Sequence, residues 1–536
     1  MDARFNMYIL EHGYLWIEGV DRSFWSAPFF YPQPFVTAYS DNLLGSLPFY
    51  FLLRKIGEER ENAFRAYIIL IFILNYLSTY WVLRRWNICS LGAIGGAYLF
   101  TFSLPSMAQI NHIQLAPRFL IPFGFYFLFL LCESKKIKYF YLLLLTIGFQ
   151  IYIGIYMGYM LCLCLFVTFL VIKVREIGFW KMISIFQLKF HASRMIENKF
   201  RYFLSISFFN KNKNYILGII VFIIILIPLI IPYLIVSRQV GTRDWAEISS
   251  MLPRISSYFH GPSSLVYGKI MKFGEALPLP WEHQLFMGIF PFLSIIFFLI
   301  IFHRRLDKRV KFFDIGLTLL ISLLIIFIIT LYVNGLSIYR LIAIFPGANA
   351  IRSVTRIILV MLFPIAFITA VSLDIIFFIL KNRMTKIGLK RWKTYAFLTI
   401  YSVSMIICLA IDQLSWIPMF SIAEERSRLQ KIESKVFSQM KSHDLRKNRN
   451  ILWVNKSDGS QYGVYLTHLD AMLVGQDLRI PVINGYSGNI PPKYGGSLYQ
   501  LTQGKCSDMS LWIKNKMDMF NKSKIIQIGT TCPNIP

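Results

Sequence analysis

The stretch "YILGIIVFIIILIPLIIPYLIV" at 215–236 runs for 22 residues without a charge. A helix of that length crosses the roughly 30 Å hydrocarbon core of a bilayer. Inside hydrocarbon every backbone N–H and C=O must find its partner within the protein, which a helix does by itself. Nine further apolar runs accompany it, at 64–83, 88–104, 115–132, 139–155, 158–172, 286–302, 314–333, 354–380 and 394–411. The expected fold is an α-helical polytopic membrane protein with about ten transmembrane helices.

Charge is sparse and placed accordingly. Only 16% of the 536 residues are charged, against 56% hydrophobic, a balance foreign to a soluble chain of this size. The net charge of +28 would suit a nucleic-acid binder, but the cations sit in short clusters between apolar runs. That distribution fixes membrane orientation, and no nucleic-acid partner is expected. Arg84-Arg85, "KKIK" at 135–138, the 173–214 loop, "HRRLDKRVK" at 303–311 and "KNRMTKIGLKRWK" at 381–393 fall in alternate gaps. They hold about 25 Lys and Arg, against about 7 in the opposite gaps, so they are expected in the cytoplasm.

The run from 139 to 172 tests this scheme. One long helix would put the basic 173–214 loop outside; a hairpin broken near Gly154 and Gly158 keeps it inside. Ten spans then place both ends of the chain on the outer face. Three regions follow: a first extracytoplasmic loop with an amphipathic helix (1–63), a membrane bundle (64–411) and an extracytoplasmic α/β domain (412–536). Some sixty residues would cross the bilayer ahead of the first span, so a further helix is expected upstream of Met1.

Ionisable residues gather in the outer loops. The first carries Asp2, Arg4, Glu11, His12, Glu18, Asp21 and Asp41, with the aromatic stretch "SFWSAPFFYPQPFVTAYSD" at 23–41. On a helix through 2–16, Arg4, Tyr8 and Glu11 share one face, while Phe5, Ile9 and His12 line its neighbour. A helix lying at the membrane interface has this pattern. In "SLPSMAQINHIQLAPR" (103–118), His112 lies between two spans, suited to a metal, a phosphate or a helix cap. The 237–285 loop holds Arg243, Glu247, Arg254, His260, Glu282 and His283. The next ends in "FPGANAIRSVTR", with Arg352 and Arg356 at the mouth of a span. A guanidinium fork there matches phosphate oxygens, although snorkelling explains such arginines equally well. Within the spans Asp374 is the clearest ionisable group, and this scarcity argues against an ion-coupled carrier.

Beyond residue 412 the composition changes. "EERSRLQKIESKVFSQMKSHDLRKNR" reads as a charged amphipathic helix, "ILWVN" (451–455) as a strand, 465–477 as a helix and "IPVINGYSG" (480–488) as strand into turn. A helix at "LWIKNKMDMF" and a strand at "KIIQIGT" (524–530) complete a small α/β domain. The turn-rich "NGYSGNIPPKYGG" sits at a strand end, where it either closes over a ligand or packs the domain on the bundle. Cys506 and Cys532 lie outside and could join in a disulfide. The other five cysteines serve as small apolar residues in or near spans.

Seven phrases carry a family likeness: "DARFNMYILEHGY" (2–14), "FFYPQPFVTAYSDNLLGSLP" (29–48), "AQINHIQL" (108–115), "QIYIGIYMGY" (150–159), "EHQLFMGIFP" (282–291), "FPGANAIRSVTR" (345–356) and "HLDAMLVGQDLRIPVINGYSG" (468–488). Together they resemble the GT-C (C-type) polytopic membrane glycosyltransferases, relatives of the protein mannosyltransferases and aminoarabinose transferases, and most closely an uncharacterised bacterial group. The resemblance implies inverting transfer of a sugar from a polyprenyl-phosphate donor to an envelope glycan, lipid or protein acceptor. The reaction would run on the outer face of the bacterial cytoplasmic membrane. It makes Asp2 the catalytic candidate, with Glu11 or Asp41 as supporting acid or metal ligand. His112, Arg352 and Arg356 would hold phosphate, and Glu282, His283 and Tyr486 would contact substrate. The family acid directly follows a helix, whereas Asp2 here follows Met1. No cofactor is fixed, a divalent cation being the one such chemistry would take. A carboxylate base and a cation for the departing phosphate are what the reaction needs on its own terms. A lipid-linked sugar exporter or flippase, or an inactive truncated homologue, are the competing readings.

Overall fold

A computed structural model describes residues 1–178, 206–304, 310–345, 347–417, 421–439, 450–455, 461–494, 506–520 and 523–529. Two helices, α1 (Asp2–Ile17) and α2 (Leu47–Lys55), precede the bundle. A helix then lies on each of the ten apolar runs. They are α3 (Arg60–Arg85), α4 (Ser90–Phe102), α5 (Ile121–Ser134), α6 (Ile137–Ile153), α7 (Ile155–Ile177), α8 (Ile206–Val240), α9 (Ile289–Arg304), α10 (Val310–Thr330), α11 (Ile358–Lys386) and α12 (Arg391–Asp412). Seven stretches are long and apolar enough to cross a membrane, α4 among them with its helical continuation to Ala108, while α5, α6 and α9 are shorter apolar helices. The protein is a helical, membrane-embedded, multi-pass chain.

The bundle is organised around α11. Every residue from Ile358 to Ile375 is buried, so this helix is apolar on all sides because it has neighbours on all sides. Its closest approach is to α4, whose Gly92 and Gly96 are one turn apart and face Ala370 and Ala366. A Cβ at Gly92 would collide with the Ala370 carbonyl, and one at Gly96 would lie 2.8 Å from that of Ala366. Small residues at this spacing let two membrane helices pack backbone to backbone.

The 139–172 run is divided as the hairpin reading requires. α6 ends at Ile153, Gly154 is extended (φ −166°, ψ 122°), and α7 starts at Ile155 and packs against α6. At this end of the bundle the connections are long: 103–120, 241–288 and 331–357. The described connections at the other end, such as 86–89 and 387–390, are short.

The C-terminal strands β1 (Asn450–Asn455) and β2 (Lys524–Gly529) pair in parallel, Leu452 opposite Ile526, and Val482 adds a single parallel bridge to Leu452. Three further helices, α13 (Ile422–Gln439), α14 (Gln461–Leu478) and α15 (Cys506–Asn515), lie around them. Residues 482–484 also bond back to the first loop: Tyr31 N–H to the Val482 carbonyl (3.0 Å), Phe30 N–H to that of Asn484 (3.0 Å), and Val482 N–H to that of Pro28 (2.9 Å). The two ends of the chain thus fold against each other. Cys506 is disulfide-bonded, and Cys532 lies outside the described residues.

That contact changes the reading of α1. Ala3 through Gly13 are all buried, so the helix does not lie along an interface with one face in water. Its charged positions are met by protein: Arg4 reaches Asp470 (2.5 Å) and Glu425 (2.9 Å), and Glu11 is paired with Arg54. Amphipathic periodicity marks a polar face, but cannot tell solvent from a partner that arrives more than four hundred residues later.

Candidate functional site

Asp2 is the first residue of α1, where four backbone N–H groups lack helical partners and a carboxylate is favoured. Its Oδ2 lies 2.6 Å from His112 Nδ1, and its Oδ1 accepts from the Tyr486 hydroxyl. Three distant parts of the chain therefore meet on one carboxylate: the N-terminus, the 103–120 connection and the C-terminal turn. Burial opposes ionisation of Asp2, but His112 and Tyr486 outweigh it and hold the pKa well below the ordinary carboxylate range. The Tyr486 hydroxyl is pushed up by burial and by the Asp2 charge, so it stays a donor.

His112 also faces a second pair. Its Nε2 is 3.4 Å from Arg356 Nη2 and 3.7 Å from Glu282 Oε1. Arg356 sits just before α11 and grips Glu282 with both arms, Nε to Oε2 at 3.1 Å and Nη2 to Oε1 at 2.7 Å. The Ser353 hydroxyl donates to Glu282 Oε2 at 2.6 Å, and the Arg356 guanidinium lies 5.3 Å from the Tyr156 ring centroid. Burial alone would raise the Glu282 pKa, but Arg356, His112 and Ser353 lower it to about 2. Exposure divides the cluster: the Asp2 and His112 side chains are 27% and 21% accessible, while Glu282 and Arg356 are only 6% and 8%. A partly exposed pair rests on a buried ion pair.

Arg352 lies one turn before Arg356. Its Nη1 bonds Glu247 at 3.0 Å, and its backbone N–H donates to the Tyr156 hydroxyl at 3.2 Å. Arg243 approaches the same Glu247 at 3.4 Å and donates to the Gly488 carbonyl at 2.9 Å. Two guanidiniums thus share one carboxylate and keep a net positive charge beside the Asp2 cluster.

No family model and no curated protein matches the chain. The arrangement has to speak through its own chemistry.

Asp2, His112, Glu282, Arg356 and Tyr486, all singled out in the sequence, are brought together, with Arg352 beside them. Asp41 is at the edge. It accepts the Ile155 N–H at 2.9 Å and so caps α7. Burial pushes its pKa up to about 6, against the pull of that N–H and of Arg356. Glu11 is elsewhere, nine residues along α1, or about 13 Å along the helix axis from Asp2. It accepts from Tyr50 (2.6 Å) and from two nitrogens of Arg54 (both 2.9 Å), which uses its oxygens. His283 is also turned away. It is buried, with Nδ1 2.9 Å from Ser257 Oγ and Nε2 2.9 Å from the Ser250 carbonyl, and burial lowers its pKa to about 4.

The sequence did not single out Ser353, Tyr156 or the role of Glu247. Tyr156 and Ser353 fall within the recurring phrases, but no local pattern says that their hydroxyls meet Arg352 and Glu282. Among the described residues no group of three or more His, Cys, Asp or Glu is arranged to hold a metal ion. Both Asp2 oxygens already have donors, and Asp41 and Glu11 are engaged elsewhere.

Proposed function

We propose that this protein transfers a sugar from a polyprenyl-phosphate donor to an acceptor hydroxyl on the outer face of a bacterial cytoplasmic membrane. The GT-C resemblance supplies the substrate class. The observation that carries the reading is the Asp2–His112 pair at 2.6 Å, partly exposed and backed by the buried Arg356–Glu282 pair.

Both Asp2 oxygens are already engaged, one by the His112 ring and one by the Tyr486 hydroxyl. Asp2 therefore acts through the imidazole. With Asp2 ionised, His112 Nδ1 carries a proton toward it and Nε2 keeps its lone pair. The acceptor hydroxyl gives its proton to Nε2 as its oxygen attacks the anomeric carbon from the face opposite the phosphate. The bond from that carbon to the phosphate oxygen breaks, and the electron pair leaves with the phosphate. The imidazolium is stabilised by Asp2 on one side; on the other, Glu282 at 3.7 Å offsets the Arg356 guanidinium at 3.4 Å. Arg352 and Arg243 offer positive charge to the leaving group, in a site where fixed donors are worth more than in water. Tyr486 holds Asp2 in place and brings the C-terminal segment to the reaction centre.

The test is transfer by the purified protein in vesicles carrying a radiolabelled polyprenyl-phosphate sugar. Wild type should move label to a hydroxyl acceptor, and His112→Gln should not. Label that crosses the bilayer still attached to its lipid, in wild type and variant alike, would make the protein an exporter and end the transferase reading.

A further inference from the structure

The connection after α10 is built with its apolar side outward. Val333 and Leu336 bond each other through both backbone pairs at 2.9 Å, which closes a tight turn. Tyr339 is fully buried, packed with Ile248, Leu252 and Val354, and its hydroxyl is 3.2 Å from that of Tyr159. These anchors fix the segment, yet Leu336, Leu341, Ile344 and Phe345 are 76%, 66%, 75% and 67% exposed. Four large apolar side chains within ten residues of one connection are more than a watered loop carries without a partner. They belong to no spanning helix, so bundle packing does not explain them.

What borders this face identifies its occupant. Arg340 lies over the Trp245 ring at 5.5 Å, and Trp245 is two residues from Glu247, the carboxylate shared by Arg352 and Arg243. The chain runs from Phe345 to Arg352 in seven residues and reaches Arg356, which contacts His112, four residues later. Exposed apolar side chains thus share one connection with Arg352, which together with Arg243 has a single carboxylate between two guanidiniums. Hydrocarbon followed by a phosphate anion matches that order.

We infer that the 336–345 segment is the docking surface for the hydrocarbon tail of the lipid phosphate. The tail lies along Leu336, Leu341, Ile344 and Phe345, and the phosphate is drawn between Arg352 and Arg243. This rests on the lipid-phosphate reading above, but it concerns binding and needs no turnover.

Binding of a long-chain polyprenyl phosphate and of water-soluble geranyl phosphate to the detergent-purified full chain tests it. A combined Leu341→Ser, Ile344→Ser, Phe345→Ser variant should weaken the long-chain ligand about tenfold or more, since three side chains lose apolar contact. Geranyl phosphate should bind it as it binds wild type. Arg352→Gln should weaken both ligands alike. Equal losses for both ligands in the triple variant, or no loss, overturn the inference. A Phe345→Trp variant in vesicles supplies a second measure. Brominated phospholipid should quench its fluorescence, and added long-chain polyprenyl phosphate should relieve the quenching. Quenching without relief means bulk lipid alone covers the face and also overturns it. If both ligands bind as expected while no sugar is transferred, docking stands and the transferase reading falls.

Discussion

Replacing Asp2 by Asn keeps the side chain's shape and removes its charge, which isolates what the carboxylate does for His112. The 2.6 Å contact to Nδ1 is a charge-assisted hydrogen bond, and such bonds contribute about 1.5–3 kcal/mol. If the whole of that is lost as the imidazolium forms, turnover falls roughly 10- to 150-fold. An amide can also present its NH₂ to the ring and reverse the tautomer, leaving no lone pair for the acceptor. That outcome removes general-base catalysis itself, about 10²–10⁴-fold. Asp2→Asn is therefore expected between these bounds, and His112→Gln at the lower rate. The double variant should be no slower than His112→Gln alone, because the two residues act as one device. Donor KM should change only a few-fold, since Arg352 and Arg243 remain. Single-turnover transfer of labelled sugar, with donor binding measured separately, resolves these quantities. Two results refute the reasoning: losses that multiply in the double variant, or an Asp2→Asn protein that reacts at the wild-type rate.

Other expectations follow from the surroundings. Glu11→Gln should lower the thermal midpoint, because Arg54 loses its buried partner at a cost of about 3 kcal/mol, while kcat per folded molecule is unchanged; lost turnover at a normal midpoint would restore Glu11 as a catalytic group. Asp41 has its folded pKa raised to about 6 from an ordinary value of 3.8, so the unfolded chain ionises first and stability falls as pH rises between those values. The shift corresponds to about 3 kcal/mol; Asp41→Asn, still able to accept the Ile155 N–H, should flatten that fall and be more stable at pH 7, as melting across pH 4–7 would show. Gly92→Ala should destabilise the α4–α11 contact by about 1–3 kcal/mol, seen as faster heat inactivation in detergent; an unchanged half-life would mean that the two helices do not approach so closely.

The sequence showed the bundle because hydrocarbon leaves few alternatives. A run such as 354–380 has one stable conformation in a bilayer, and its length marks its ends to within a few residues. The α6–α7 break was legible for a different reason: keeping the basic 173–214 loop on the side of the other basic clusters demanded it, and the break falls at Gly154, where the Gln114 carbonyl approaches closely. The site was legible in part. Asp2, His112, Glu282 and Arg356 could be suspected because charged groups beside apolar spans need a reason, but nothing local paired them. Glu11 shows why. On the helix it looks as available as Asp2, and only the fold reveals that Arg54 and Tyr50 have taken its oxygens while Asp2 faces an imidazole.

Membrane insertion explains why the site depends on such distant residues. The spans supply rigidity but tolerate few charges, so ionisable groups must come from whatever the chain places at the helix ends. Here the connections at one end each supply part: His112 from one, Glu282 from another, Arg352 and Arg356 from a third. The N-terminus brings Asp2, and the C-terminal turn brings Tyr486 to it. Arg4 then ties α1 to α14 through Asp470, only two residues from Asp2. Loss of the Arg4–Asp470 pair should therefore disturb the Asp2–Tyr486 contact before it disturbs the bundle. The chain's two ends meet the Asp2 cluster as a single element.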